Sequence, residues 1–211
     1  MAKGLLTAGF DYGAVAEDEF NDWYDTEHIP ERERIKGFLT AQRWVGVAGA
    51  KISVATYDLE SVNVLQSPAY RVIAGDNLSP WSKRVTGKCR RLLRFVGDQI
   101  LPGDGVYAGA AGGLLLFAMN VAPEVETEFN AWYGEEHIPR LSRVPGCLSA
   151  RRFRATGGTH KYLALYHLSG PDVIATKAWE GAAITPWTLK LRPHTSDRLR
   201  IVLGRYGRAA R

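Results

Sequence analysis

An internal repeat constrains this chain more than any other feature. The segment Glu19-Phe-Asn-Asp-Trp-Tyr-Asp-Thr-Glu-His-Ile-Pro30 recurs 109 residues later as Glu128-Phe-Asn-Ala-Trp-Tyr-Gly-Glu-Glu-His-Ile-Pro139. Extending the same offset across residues 19–44 and 128–153 gives 14 identities in 26 positions, too many for chance. It also aligns Gly4-Leu-Leu with Gly113-Leu-Leu, and Tyr57 with Tyr166. After a short deletion, Ser79-Pro-Trp81 aligns with Thr185-Pro-Trp187. Two copies are too few for a solenoid, which needs three or more repeats to be stable. The expected arrangement is a pseudo-twofold pair: one unit over residues 1–97, a Gly/Pro-rich linker over 98–112, and a second unit over 113–211.

Each unit has the same order of elements. A short apolar strand, Gly4–Asp11, precedes a helical segment, Glu17–Ile29, which Pro30 is expected to end because proline disfavours helix in the residue before it. Phe38–Val47 and Lys51–Glu60 carry Val, Thr, Trp and Tyr and are joined by Gly46-Val-Ala-Gly49, as a hairpin would be. Val62–Ala74 is predicted as helix. Ser79-Pro80 has the form of an N-cap followed by proline at the first helical position. Lys88–Gly97 closes the unit as a strand. The order β-α-β-β-α-β is the ferredoxin-like arrangement. Its sheet has helices on one face and a bare apolar face on the other, so two such sheets are expected to cover each other as a closed α/β barrel.

Charge and composition remove several functions. The formal net charge of +5 favours anionic partners. The basic residues gather at Lys88–Arg94 and in the Arg-rich C-terminus from Arg198, without any nucleic-acid-binding motif, so nucleic acid is not an expected partner. The two cysteines, Cys89 and Cys147, occupy non-equivalent positions and form no disulfide framework or metal spacing. A reduced, cytoplasmic setting follows. The first apolar run meets Asp11 too early for a signal peptide. The run Gly112–Met119 falls far short of the ~20 residues of a membrane span. The histidines His160, His167 and His194 lack ligand spacing, so no metal is expected.

The first helix carries the candidate chemistry. Phe20, Trp23, Tyr24 and Glu27 share a stripe of about 100°, with His28 beside it. The second copy repeats this with Tyr133, Glu136 and His137. A carboxylate on a buried stripe needs a partner. Arg43 and Arg152, on the same strand face as Ala41 and Ala150, are the expected partners of Glu27 and Glu136. Two roles stay open for these arginines: a structural ion pair, or an anchor for a substrate anion. A histidine at a helix C-terminus beside a carboxylate is expected to titrate near neutrality, which suits proton transfer. Tyr24 and Tyr133 are the adjoining candidates. Tyr57 and Tyr166, on the third strand, are pocket donors or packing residues.

The Trp-Tyr-x-x-Glu-His-Ile-Pro segment, followed by Gly-x-Leu-x-Ala-x-Arg, resembles the EthD-like branch of the dimeric α/β-barrel superfamily. The resemblance spans both halves. It implies a barrel normally made by dimerisation and here made by fusion, with a pocket between sheet and helices in each unit. It also implies one of several activities: cofactor-free cyclase, isomerase or dehydratase, small oxygenase, or haem binder. A catalytic role for His28 and His137 is carried over by the resemblance. Lys36-Gly37 departs from the Pro-Gly pair that Pro145-Gly146 keeps, which points to diverged halves. The leading expectation is a cofactor-free isomerase, lyase or cyclase with a histidine acid/base, acting on a small conjugated carboxylate or phenolate. The alternatives are a cofactor-free or haem-dependent oxygenase on an aromatic substrate, and a non-catalytic ligand-binding protein. Further self-association of the fused unit is also considered.

Overall fold

The computed structural model describes residues 2–207; the last four residues assigned to the second unit lie outside them. The first repeat contains β1 (Gly4–Asp11), α1 (Glu17–Trp23), α2 (Ile29–Glu33), β2 (Gln42–Gly46), β3 (Ile52–Leu59), α3 (Pro68–Arg71), α4 (Pro80–Lys88) and β4 (Arg90–Leu101). The second contains β5 (Gly113–Val121), α5 (Glu126–Trp132), α6 (Ile138–Leu141), β6 (Cys147–Gly157), β7 (Tyr162–Leu168), α7 (Lys177–Ala183), α8 (Pro186–Leu191) and β8 (Thr195–Arg205). No helix among these residues is long and apolar enough to cross a membrane.

Each repeat is a βαββαβ unit, and together their strands close one antiparallel barrel in the order β1-β3-β2-β8-β5-β7-β6-β4. Moving four places around this ring carries each strand onto its repeat mate with direction kept, so the pseudo-twofold runs along the barrel axis. Two seams join the halves. β2 pairs with β8 from Trp44↔Arg205 to Gly46↔Leu203, and β4 pairs with β6 from Val96↔Gly157 to Leu101↔Arg152. The inner faces contribute Leu5, Phe95, Leu114, Phe153, Leu163 and Leu203 to a single central core. Helices cover the outside of each half, where Phe20, Trp23 and Tyr24 pack towards Tyr57, and Phe129, Trp132 and Tyr133 towards Tyr166. β7 is buried along its whole length because both of its faces are covered.

Several boundaries differ from the sequence expectation. Pro30 does not end the first helix. The chain passes from α1 through a π-helical turn, Tyr24–His28, into α2, with Pro30 just after the turn, where the wider π winding has Ile29 N–H donate to the Tyr24 carbonyl five residues back. The second repeat does the same at Tyr133–His137. The histidines therefore sit mid-helix rather than at a C-terminus. The predicted strand Phe38–Val47 shortens to Gln42–Gly46, leaving Phe38 as an isolated bridge to Leu59. The predicted helix Val62–Ala74 is a 3-10 turn, Val62–Gln66, followed by the one-turn α3, because Pro68 interrupts it. β4 runs on to Leu101, so the linker begins later than residue 98.

The repeated glycine of the Gly-x-Leu motif has a backbone cause. Gly37 and Gly146 lie at φ of 100° and 89°, and a Cβ on Gly146 would stand 2.7 Å from the Val173 side chain. Both the left-handed backbone and the close approach call for glycine.

Because the two seams and the central core belong to both halves, residues 1–100 expressed alone are expected to self-associate or aggregate, exposing an apolar face too large for a monomer. Sedimentation of this fragment checks the outcome; a cooperatively melting monomer would contradict the packing described.

Candidate functional site

The repeated carboxylates do not pair with the arginines. Glu27 Oε1 accepts hydrogen bonds from Ser79 Oγ at 2.6 Å and Ser82 Oγ at 2.9 Å. Ser79 Oγ in turn accepts from the Ser82 N–H, capping α4 as its Ser-Pro sequence predicts. Glu136 accepts from Thr185 Oγ1 at 2.5 Å, and Thr185 caps α8. A carboxylate here meets hydroxyls and the positive end of a helix, which satisfies it without a guanidinium. The expected pairs Glu27–Arg43 and Glu136–Arg152 are thus replaced by a clamp between the first helix and the last one of each repeat.

The arginines go elsewhere, and differently in the two halves. Arg43 is buried, donates to Asp25 Oδ1 at 3.2 Å and Asn21 Oδ1 at 2.7 Å, and lies 3.8 Å from the Tyr206 ring centroid. In the second repeat the position of Asp25 is Gly134. Arg152 packs among the rings of Tyr133, Tyr162 and Phe129, at 4.1, 4.3 and 4.9 Å, and its Nε and Nη2 have no hydrogen-bond partner. Among the described residues no carboxylate lies within ion-pair distance of it. Neither arginine lines the cavity described next, so a direct substrate contact by Arg43 or Arg152 is not seen.

The histidines are buried against aromatic rings. His28 lies 4.5 Å from Trp23 and 5.0 Å from Tyr24; His137 lies 4.3 Å from Trp132 and 5.1 Å from Tyr133. Nδ1 of each has no partner. Burial, helped by Arg152, pulls the His137 pKa down to about 3. Burial, with Arg32 and Arg43, holds His28 well below its ordinary value. Both rings are neutral at pH 7, so the expectation of titration near neutrality fails: desolvation outweighs any favourable helix end. Burial likewise raises Tyr24 and Tyr133 to about 12 and pushes Tyr57 and Tyr166 well above 10. The hydroxyls of Tyr24 and Tyr57 lack hydrogen-bond partners, whereas those of Tyr133 and Tyr166 meet each other.

In the second repeat His137 and Tyr166, but not Tyr133, border a cavity of about 450 Å³ between the sheet and the helices. This is within the usual size of a small-molecule site. Its inner wall includes Phe129, Trp132, His137, Tyr166 and Trp179, and its mouth carries the exposed Arg192, Arg198 and Arg200. The Arg198 guanidinium sits 5.6 Å from the ring of Phe117. At the matching place in the first repeat, Leu141 is replaced by Arg32 and Trp179 by Tyr70. Arg32 is 4% exposed, donates to the His28 carbonyl at 2.9 Å, and acts electrostatically on Tyr24, Tyr57 and His28. A buried guanidinium thus stands in the first half where the second keeps an apolar wall. Sequence reading missed Arg198 and Arg200, which looked like a solvated basic tail. Their i, i+2 spacing on a strand was the signal that they share a face.

No family model matches this chain, and no curated protein matches it. Solved structures do. Chlorite dismutase from Candidatus Nitrospira defluvii, in a mutant form, superposes with a TM-score of 0.61 at 8% identity, over 98% of this chain and 93% of that one. An anthrone oxidase-like protein gives 0.63 at 9% identity, over 97% and 92%. A provisionally assigned monooxygenase from Fusobacterium nucleatum gives 0.61 at 10%, over 97% and 92%. The chain therefore has the dimeric α/β-barrel fold, duplicated within one polypeptide. These neighbours bear the names of redox enzymes, and burial, which pulls His137 down to about 3, leaves it a weak base with no imidazolium form at neutral pH. Together they overturn the expectation of a cofactor-independent isomerase, lyase or cyclase with a histidine acid/base.

Two predictions follow from the burial. The folded-state pKa of His137 lies below its unfolded value of 6.5, so its stabilising contribution is intact above pH 6.5 and is lost as pH falls towards about 3. Unfolding free energy should drop on acidification with a slope of up to ~1.4 kcal/mol per pH unit per such histidine. Urea titrations between pH 7 and pH 4 should show a shallower slope in His137→Gln; an unchanged slope would mean that the ring titrates normally. Arg43→Met removes two buried charge-assisted hydrogen bonds, to Asp25 and Asn21, and should cost about 2–3 kcal/mol, whereas Arg152→Met removes neither and should cost about 1 kcal/mol or less. Denaturant midpoints in the reverse order would refute the asymmetry of the two sites.

Proposed function

We propose that this protein is an oxygenase or oxidase acting on a planar aromatic substrate held in the cavity of the second repeat, with haem as its cofactor. The observation that carries the reading is the joint arrangement of that cavity: a neutral imidazole and aromatic rings inside, guanidinium groups at the mouth. The repeated Trp-Tyr-x-x-Glu-His-Ile-Pro segment supports membership of the EthD-like branch, and the two free thiols support a reducing, cytoplasmic setting.

The residues present suit haem. His137 is a neutral imidazole and would hold the iron through a ring nitrogen. Phe129, Trp132 and Trp179 offer apolar faces to a flat macrocycle. Arg192, Arg198 and Arg200 match carboxylates bidentately, as propionates or a substrate carboxylate require. When bound, haem supplies activation of dioxygen or a peroxide. The chain's own residues bind the ring system, orient the anionic end of the substrate towards the mouth, and keep water from the inner wall. Tyr166, protonated at all working pH values, can donate a hydrogen bond to a substrate oxygen.

One observation favours a second reading, a cofactor-free oxygenase in the same cavity. A metal-bound histidine ordinarily donates its other N–H to a carboxylate or carbonyl, and Nδ1 of His137 has no such acceptor. In this reading the unpartnered His137 Nδ1 and Trp132 Nε1, with Tyr166 beside them, bind substrate and dioxygen directly.

Titration of the purified chain with hemin separates the two. A saturable Soret band that His137→Ala weakens at least about tenfold, and that His28→Ala leaves unchanged, is the expected result. Absence of a Soret band with dioxygen uptake on a phenolic substrate panel would select the cofactor-free form. Absence of both haem binding and dioxygen uptake would overturn the proposal.

A further inference from the structure

A second chamber lies inside one end of the barrel, remote from the helix-covered cavity. It has a volume of about 240 Å³ and is bordered by Trp44, Thr56, Asp58, Tyr107, His167 and Arg205. The strands reach it from both halves, and the linker closes it from above: Ala111 is fully buried in the central core, and the Tyr107 ring lies 4.5 Å from that of His167.

The polar groups here come from pseudo-equivalent positions that the repeats fill differently. Asp58 corresponds to His167, Gln42 to Arg151, and Gln99 to Arg205. In a twofold barrel such pairs face one another near the axis. Asp58 is fully committed: Oδ1 accepts from Arg151 Nη1 at 2.5 Å and Oδ2 from Thr40 Oγ1 at 3.0 Å. Arg151 also donates to the Gly105 carbonyl of the linker at 3.2 Å. Thr56 Oγ1 accepts from Trp44 Nε1 at 3.0 Å. Two groups on the chamber wall remain available. His167 is 3% exposed and its Nδ1 has no partner. Arg205 donates Nη1 to the Gly109 and Ala111 carbonyls, at 3.2 and 3.4 Å, and has no carboxylate within ion-pair distance among the described residues. Asp58 and Arg151 cancel, which leaves Arg205 as the uncompensated charge.

We propose that this chamber is a ligand site for a small organic monocarboxylate, its carboxylate on Arg205 and the His167 ring, its short tail between Trp44 and Tyr107. One planar guanidinium and one adjacent imidazole suit a single carboxylate. The chamber is smaller than the usual ligand pocket, which restricts the occupant to a small acid. This proposal is independent of the chemistry in the other cavity.

Fluorine NMR titration of the full-length protein with trifluoroacetate tests it, with trifluoroacetamide as the uncharged counterpart. The expected result is saturable binding of trifluoroacetate at millimolar concentration, about tenfold or more weaker in Arg205→Gln and in His167→Phe, and unchanged in Arg198→Gln. The amide should bind about tenfold more weakly. His167→Phe conserves the packing and leaves both linker hydrogen bonds of Arg205 in place, so it tests the site even if Arg205→Gln loosens the linker. No saturable shift in the wild type, or equal affinity in His167→Phe, overturns the proposal. Loss of binding in Arg198→Gln with retention in His167→Phe also overturns it, by assigning the anion to the other cavity.

Discussion

The apolar inner faces of the two four-stranded sheets have only each other to pack against, and everything else in the molecule rests on that contact. Leu5 and Phe95 from one half meet Leu114, Phe153 and Leu203 from the other in one central core. The two antiparallel seams then satisfy the edge strands that each sheet would otherwise expose. Once the inside is filled, the helices have only the outer faces to cover. The space for a ligand is therefore found either between helices and sheet or at a barrel end, where the strands run out.

Fusion changes what those spaces can contain. In a barrel made from two identical chains, any residue near the axis meets its own copy, and an acid such as Asp58 would face a second acid. A single polypeptide escapes this. It sets Asp58 against Arg151 and fills the position equivalent to Asp58 with a neutral His167. The same freedom appears in the outer layer. Arg43 has Asp25 as a partner, whereas Arg152 faces aromatic rings because Gly134 has removed the carboxylate. Arg32 occupies the first half where Leu141 leaves the second open. Divergence between the halves gives the second an apolar cavity wall where the first carries a buried guanidinium.

Burial also sets the chemistry. His137 and His167 are pulled to about 3, and Tyr133 is raised to about 12, chiefly because water is excluded from the charged forms. Such groups keep their hydrogen-bonding ability but do not exchange protons near pH 7. The cavity of the second repeat is accordingly a place of neutral donors and acceptors with its charges confined to the mouth. That environment suits the binding of an aromatic ring better than acid–base catalysis.

The sequence by itself determined the repeat, and through it the fold. The offset of 109 residues, the strand and turn order, and the Ser-Pro and Thr-Pro caps are local or periodic features, and periodicity survives without coordinates. Of the helix residues it singled out, Trp132 and His137 line a cavity and Tyr133 does not. Partner choice was not legible. Glu27 and Arg43 lie on compatible faces, but a carboxylate can be satisfied equally by hydroxyls at a helix N-terminus, and only the packing of the first helix on the last decided that it was. Protonation states were likewise hidden, since depth of burial depends on both halves. The arginines at the mouth and the groups under the linker lie far apart along the chain. Only closure of the barrel, which brings each strand of one half beside a strand of the other, placed them together.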